Sequence, residues 1–461
     1  MHVSDDRIRA RGAPAFPTNR AYLALGAGFL LFALYGSLLP FRLDPLPLEA
    51  AWSQFTAVLF RFPPRRISRS DLLANALLFI PVGFTLAGAL LIDRSRRFGL
   101  IRATAAILPV SIAVSLLAEF LQTFTTSRVP SNTDVAAQTA GCLAGIAFWA
   151  VAGPALTRWL REALAAAPED RLSRVLTAFA AGWVFVNLAP FDISVDAGDL
   201  ARRVRTGKIS IVPFTGPELP VARLLWDALA EVLSAVPLGA FGLIAWRRGN
   251  TSRSMAFACG AAIVLAVEGA QIFISSHSAS TTDLLFAWIG VALGVAIGAR
   301  VSPRAHRAAG PQPTGSNEER ISPIAIGIVA CWCLVLCAYH WMPYDFGVDT
   351  DDVRRKLSRI SLLPFAGYRS GSYLSALSNL LTKLALSAPL GLALTFAFGA
   401  RARRSAAGLV ISLGLAAVVF GAIELGQFFL PGRVPDPTDV LVGLAGAYAG
   451  IVLGGWLRSQ H

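Results

Sequence analysis

Charge is scarce in this chain. Asp, Glu, Lys and Arg make up 15% of its 461 residues, against about a quarter in soluble domains. With 55% of residues hydrophobic and a mean hydropathy of +0.58, that deficit excludes an ordinary soluble domain. Cysteine is also rare: Cys142, Cys259, Cys331, Cys333 and Cys337 all fall in apolar runs. They therefore form no disulfide framework and read as small apolar fillers. Glycine-rich phosphate loops, Cys/His metal spacings and nucleic-acid modules are missing. We accordingly expect no cofactor, no metal and no nucleic-acid partner.

What the chain has instead is apolar helix. Twelve stretches of about 20 residues, each enough to cross a bilayer, recur from Ala21–Pro40 through Val440–Leu457. The expected fold is an all-α integral membrane protein with about twelve transmembrane helices. The first stretch follows a basic head containing Arg7, Arg9, Arg11 and Arg20, which resembles a signal peptide. It reads as a retained anchor, because no clear small-residue cleavage site follows and its "LLPF" ending recurs later.

The apolar runs are organised by repetition. "EFLQTFTTSRVPSNTDVAAQTAGCLAG" at 119–145 is matched by "EGAQIFISSHSASTTDLLFAWIGVALG" at 268–294 and by a third copy opening "ELGQFFLPGRVPDPTD" at 424–439. In each, Gln follows Glu by three residues, Asp by fifteen, and glycines follow Asp by seven and eleven. Upstream, "LLPF" at 38, "LAPFD" at 188 and "WMPYD" at 341 end a first helix, and "DLLANALLFIPVG", "DALAEVLSAVPLG" and "NLLTKLALSAPLG" form a second. The unit is four helices. An even number per unit makes the three repeats parallel, unlike the inverted repeats of many transporters. The expected boundaries are 1–158, 172–301 and 322–461, with a Pro/Gly-rich cytoplasmic linker at 302–321.

Taken together, these motifs resemble the VanZ-like family: an Asn and "PxG" on one helix, then Glu and Gln, then Asp followed by glycines. The resemblance covers nearly the whole chain in triplicate. It implies a bacterial inner-membrane protein similar to one linked to low-level teicoplanin resistance. The chain departs from the pattern where the second-helix Asn, present as Asn75, becomes Glu231 and Lys383. It departs again where the Asn four residues after the Asp becomes Gln138, Ala287 and Gly443. The three units are therefore not equivalent.

Short connections between second and third helices carry Arg94, Arg96, Arg97 and Arg102, then Arg247, Arg248 and Arg253, then Arg401, Arg403 and Arg404. Those between third and fourth helices carry Arg128 and Arg433 alone. The positive-inside rule then puts both termini in the cytoplasm, although each long connection between first and second helices, placed outside, carries five Lys or Arg.

Each copy gathers polar side chains toward one end of its helices. The candidates for polar pockets are Asp71, Asn75, Glu119, Gln122 and Asp134 in the first unit. In the second they are Asp227, Glu231, Glu268, Gln271 and Asp283, and in the third Asn379, Lys383, Glu424, Gln427 and Asp439. Glu and Gln three residues apart share a helix face. Helix capping accounts equally well for the Asp in Thr-Asp, and a hydrogen-bonded network that locks four helices accounts for the whole set. Glu231 and Lys383 occupy equivalent positions, and pairing across repeats would spare a buried lysine.

The segments 192–214 and 345–365 place acids before bases, as amphipathic helices at the headgroup layer would. Arg202, Arg203, Arg354 and Arg355 are the candidate headgroup contacts. Membrane lipids, and through them a lipid-linked envelope precursor, are the expected partners. The expected function is to bind or shield such an intermediate. Transport of an envelope lipid or solute is an alternative, as is an intramembrane hydrolase or transferase, for which His277 near Glu268 and Asp283 is the one suggestive residue. No copy pairs a nucleophile with a base, so no catalytic residue is assigned.

Overall fold

Backbone polar groups in hydrocarbon must be satisfied internally, so apolar runs of this length become helices. The computed structural model describes residues 16–39, 41–42, 46–60, 69–93, 96–125, 130–188, 193–215, 221–245, 251–301, 323–347, 349–361, 363–367, 373–398 and 405–458. The basic head through Arg11, the linker at 302–321, Pro40, Pro190, Arg94, Arg128, Arg247, Arg248, Arg401, Arg403 and Arg404 lie outside the described residues.

The first repeat comprises α1 (Asn19–Leu38), a short α2 (Leu48–Leu59), α3 (Arg69–Leu91), α4 (Arg96–Gln122) and α5 (Asn132–Leu164). The second comprises α6 (Pro168–Leu188), a short α7 (Ala197–Arg205), α8 (Val221–Ile244), α9 (Arg253–Gln271) and α10 (Thr281–Val301). The third comprises α11 (Pro323–Trp341), a short α12 (Thr350–Arg359), α13 (Tyr373–Ala397), α14 (Ala406–Gln427) and α15 (Pro437–Arg458). Eleven of these helices are long and apolar enough to cross a membrane. The twelfth expected span, α6, is helical but opens with Glu169, Asp170, Arg171 and Arg174, so only its later part is apolar. The only strands among the described residues, β1 (Ile209–Ser210) and β2 (Ala279–Ser280), pair in parallel and clip two loops of the second repeat together.

The chain divides into two compact units. Met1–Ala165, Arg359–Ala385 and Asp436–Val442 form the first; Ala166–Ser358, Leu386–Pro435 and Gly443–His461 form the second. Both α13 and α15 are thus shared between units. In the first, Phe79, Val82, Ile107, Cys142, Ile146 and Trp149 make the core. Tyr22 meets Trp149 edge to face at 5.1 Å and hydrogen-bonds Thr157 at 2.9 Å. In the second, Arg171 is fully buried and donates to the Ala166 and Trp456 carbonyls.

Glycine sets how closely second and fourth helices approach. In the first repeat a Cβ on Gly141 or Gly145 would collide with the Ala76 or Ile80 carbonyl, and one on Gly83 with the Cys142 carbonyl. The same reciprocal crossing recurs in the second repeat, where Gly239, Gly290 and Gly294 meet Val291, Val232 and Val236. Within the second unit, Gly391 and Gly450 of the third repeat meet Ala447 and Ala388. Two helical backbones can touch only where side chains are missing.

Candidate functional site

The glycine crossings decide which polar groups meet. Asn75 precedes Ala76 by one residue and Gln138 precedes Gly141 by three, so both face the α3–α5 seam. There Gln138 Nε2 donates to Asn75 Oδ1 at 2.9 Å, and Asn75 Nδ2 donates to the Asp71 carbonyl at 3.1 Å. In the third repeat the same helix pair is bridged by charge. Lys383 Nζ lies 2.5 Å from Asp439 Oδ2, with 12% and 10% of the two side chains exposed. Lys383 therefore finds its counter-charge inside its own repeat. The cross-repeat pairing with Glu231 expected from the sequence is not needed to account for a buried lysine.

In the second repeat, Glu231 lies within electrostatic reach of Asp227, Glu268 and Asp283, and Asp227 is held by Arg223 at 3.0 Å. Among the described residues no three His, Cys, Asp or Glu side chains are placed to hold a metal ion. His277 supplies its backbone carbonyl to Arg203.

The repeated Glu and Gln are mostly buried, and two of the glutamates reach the backbone of the next loop. Glu119 accepts from the Ser131 N–H at 2.7 Å, and Glu268 from the Ser280 N–H at 3.3 Å. Gln122 is buried. Gln271 donates to the Asn187 carbonyl at 2.9 Å, and Gln427 to Glu424 Oε1 at 3.1 Å. Asp71 in the first turn of α3 and Asn379, the seventh residue of α13, are exposed.

Asp134, Asp283 and Asp439 are the third residues of their helices, not the N-caps. They still sit in the first turn, where the helix dipole favours an acid. The threonine before each has its own partner. Thr282 Oγ1 accepts from the Phe214 N–H at 2.7 Å, and Thr438 Oγ1 from the Phe365 N–H at 2.8 Å. Phe214 and Phe365 follow prolines and hold φ of 60° and 64°, a left-handed backbone that costs a bulky residue roughly 1–3 kcal/mol. These anchors fix the first connection of the repeat onto the start of its fourth helix. The recurring Pro-Phe at 213–214 and 364–365 was their one sequence signal.

The short helices α7 and α12 carry the candidate headgroup cations, and the structure sorts them. Arg203 is buried, and its guanidinium donates to the Ile272, His277 and Gln271 carbonyls at 2.6, 2.7 and 3.2 Å. It caps the end of α9 and does not face the surroundings. Lys356, which the sequence reading passed over, is its counterpart. It is buried, donates to the Phe428 and Leu430 carbonyls past the end of α14, and pairs with Asp352 at 2.8 Å. A cation suits the negative end of a helix. Lys356 also holds the Asp352 carboxyl below its ordinary range. Arg202, Arg354 and Arg355 are exposed; Arg202 pairs with Asp199 and Arg355 with Asp352 and Asp349. In the first repeat Trp52 and Phe55 of α2 instead cluster with Phe120 of α4.

A family model described as VanZ/LLP1 matches the chain three times, over residues 21–153, 175–301 and 326–458. The chain belongs to the VanZ/LLP1 family. Each match takes in one glycine crossing with its polar end, so a VanZ unit here is the four-helix repeat, and this chain is a multi-pass membrane protein of three tandem units. No curated protein and no solved structure matches it.

Proposed function

We propose that the protein is a non-enzymatic binder of a lipid-linked cell-envelope intermediate in the bacterial inner membrane, holding or shielding its headgroup on the extracytoplasmic side. The observation that carries this reading is the burial of Glu119, Gln122, Gln138, Gln271, Glu424 and Gln427 beside the connection between third and fourth helices. Ionisable groups within a membrane are costly, and they mark sites when they recur at one depth. With the arginine-rich second connections inside, this end faces outward and both termini face the cytoplasm.

Exposed Arg202, Arg205, Arg354 and Arg355 beside exposed Val204 and Leu357 make α7 and α12 suited to lie in the headgroup layer and meet lipid phosphates. Glu119, Gln122, Gln271, Glu424 and Gln427 lie in the last turn of their helices and not at mid-helix, where transporter sites usually lie, so binding is favoured over transport. Mass spectrometry of lipids that stay with the purified protein tests the reading. Enrichment of one envelope lipid, reduced by Glu119→Gln, Glu268→Gln or Glu424→Gln, is expected. A bound-lipid profile equal to that of the bulk membrane would overturn it.

A further inference from the structure

The first repeat differs from the others along one buried seam. On α4, Ser111, Ser115 and Glu119 recur every four residues and therefore share a face; they are 0%, 0% and 1% exposed. On α5, Gln138 and Cys142 are 2% and 0% exposed. Contacts fix the register between the two helices. Glu119 bonds the Ser131 N–H that precedes α5, and Ser111 meets the Cys142 thiol. Since the helices run antiparallel, the level between holds Ser115 against Gln138. The third repeat corroborates this register, because the equivalent Phe420 ring covers the equivalent Gly443.

In the other repeats the seam is filled with apolar groups. Gly260, Val264, Ala287 and Val291 take these places in the second, with a Val291 methyl against Gly260. Ala416, Phe420, Gly443 and Ala447 take them in the third. The first repeat has small hydroxyls and an amide instead.

That amide has a fixed orientation. Asn75 donates its Nδ2 to the Asp71 carbonyl, so it meets Gln138 with Oδ1, and Gln138 must turn Nε2 toward it. Gln138 Oε1 is left buried with no hydrogen-bond partner among the described residues. A buried acceptor without a donor costs about 1–3 kcal/mol.

We propose that the seam of Ser115 and Gln138 is a binding site, present in the first repeat alone, for a headgroup that donates an O–H or N–H. The proposal rests on the headgroup-binding reading and names the chemistry of its ligand. Glu119 and Asp134 beside the seam repel a phosphate, so the donor enters and the phosphate stays outside.

The test uses the full chain in nanodiscs of phosphatidylcholine mixed equally with one second lipid of the same acyl chains. That lipid is either phosphatidylethanolamine, which brings an ammonium donor, or a monoglucosyl diacylglycerol, which brings hydroxyls. Phosphatidylcholine has no headgroup donor. Native mass spectrometry counts the lipids retained. Wild type is expected to enrich at least one donor lipid about five-fold, the size of one hydrogen bond, and the richer arm identifies the donor. The paired variant Ser115→Val/Gln138→Ala, which copies the filling of the second repeat, abolishes the enrichment. Gln138→Met, nearly equal in volume, does the same and covers the case in which the pair fails to fold. Enrichment unchanged in a folded variant overturns the proposal. So does wild type without donor preference, including a seam filled by water alone; if the purified protein still carries a selected anionic envelope lipid, the headgroup-binding reading survives that result.

Discussion

Lys383 and Asp439 form an ion pair at 2.5 Å in the first unit, buried to about the same degree on both sides. The pair takes the place that Asn75 and Gln138 bridge by amides in the first repeat. One helix contact is thus closed in two chemistries.

Removing one charge strands the other. Lys383→Met or Asp439→Asn should destabilise the protein by about 3–5 kcal/mol, whereas the double change Lys383→Met/Asp439→Leu should recover most of that loss, because a buried pair contributes little beyond its apolar replacement. Thermal unfolding in detergent measures all three. A double variant no more stable than the singles would contradict the assignment.

The glycine crossings make a second contrast. Gly145→Ala puts a methyl into the Ile80 carbonyl and should cost about 1–3 kcal/mol through overpacking. Gly182→Ala on α6 meets nothing within 4 Å and should be neutral or stabilise by up to about 1 kcal/mol through helix propensity. Comparing their unfolding midpoints checks both.

These contrasts bear on what the sequence alone could say. Spacing exposed the repeats, the GxxxG faces and the short helices, because periodicity and small residues are properties of one chain segment. Arg202 and Arg203 looked alike, since both belong to one basic run; a rotation of one residue on α7 puts the first outside and the second under α9. Lys356 was passed over for the same reason. The seam at Ser115 and Gln138 was illegible because it depends on the register between α4 and α5, and the pairing of Lys383 depended on which helix crossed it. The linker and much of the arginine asymmetry fall on residues outside the described ones.

Asp93 and Arg161 supply a pH test outside the hydrocarbon. Arg161 donates to both oxygens of Asp93 at 2.7 and 2.8 Å, and this bonding lowers the carboxyl below its ordinary value. A folded pKa below the unfolded one means stabilisation that is complete above the unfolded value and lost as pH falls through the folded one. Because the Asp93 side chain is 63% exposed, the effect should stay under about 1 kcal/mol. Wild type should unfold slightly later than Arg161→Gln at neutral pH, and the two melting curves should converge as pH drops below about 4, the ordinary Asp value. A gap that widened in acid would refute the sign.

The two neighbouring arginines of α7 give the sharpest separation of structure from surface. Arg203→Met leaves the Gln271, Ile272 and His277 carbonyls without their buried donor and should destabilise by about 2–3 kcal/mol, the range for charged hydrogen bonds. It should also open the 272–280 connection to proteolysis. Arg202→Met removes an exposed group whose partner is Asp199, so stability should change by less than about 0.5 kcal/mol. If α7 lies on headgroups, however, Arg202→Met should weaken association with anionic lipid by about the contribution of one surface charge, ~1 kcal/mol or five-fold. Thermal unfolding and retention of phosphatidylglycerol in nanodiscs read the two effects separately. Matching losses of stability in both variants would mean that α7 sits in another rotation and that neither arginine is free to meet lipid.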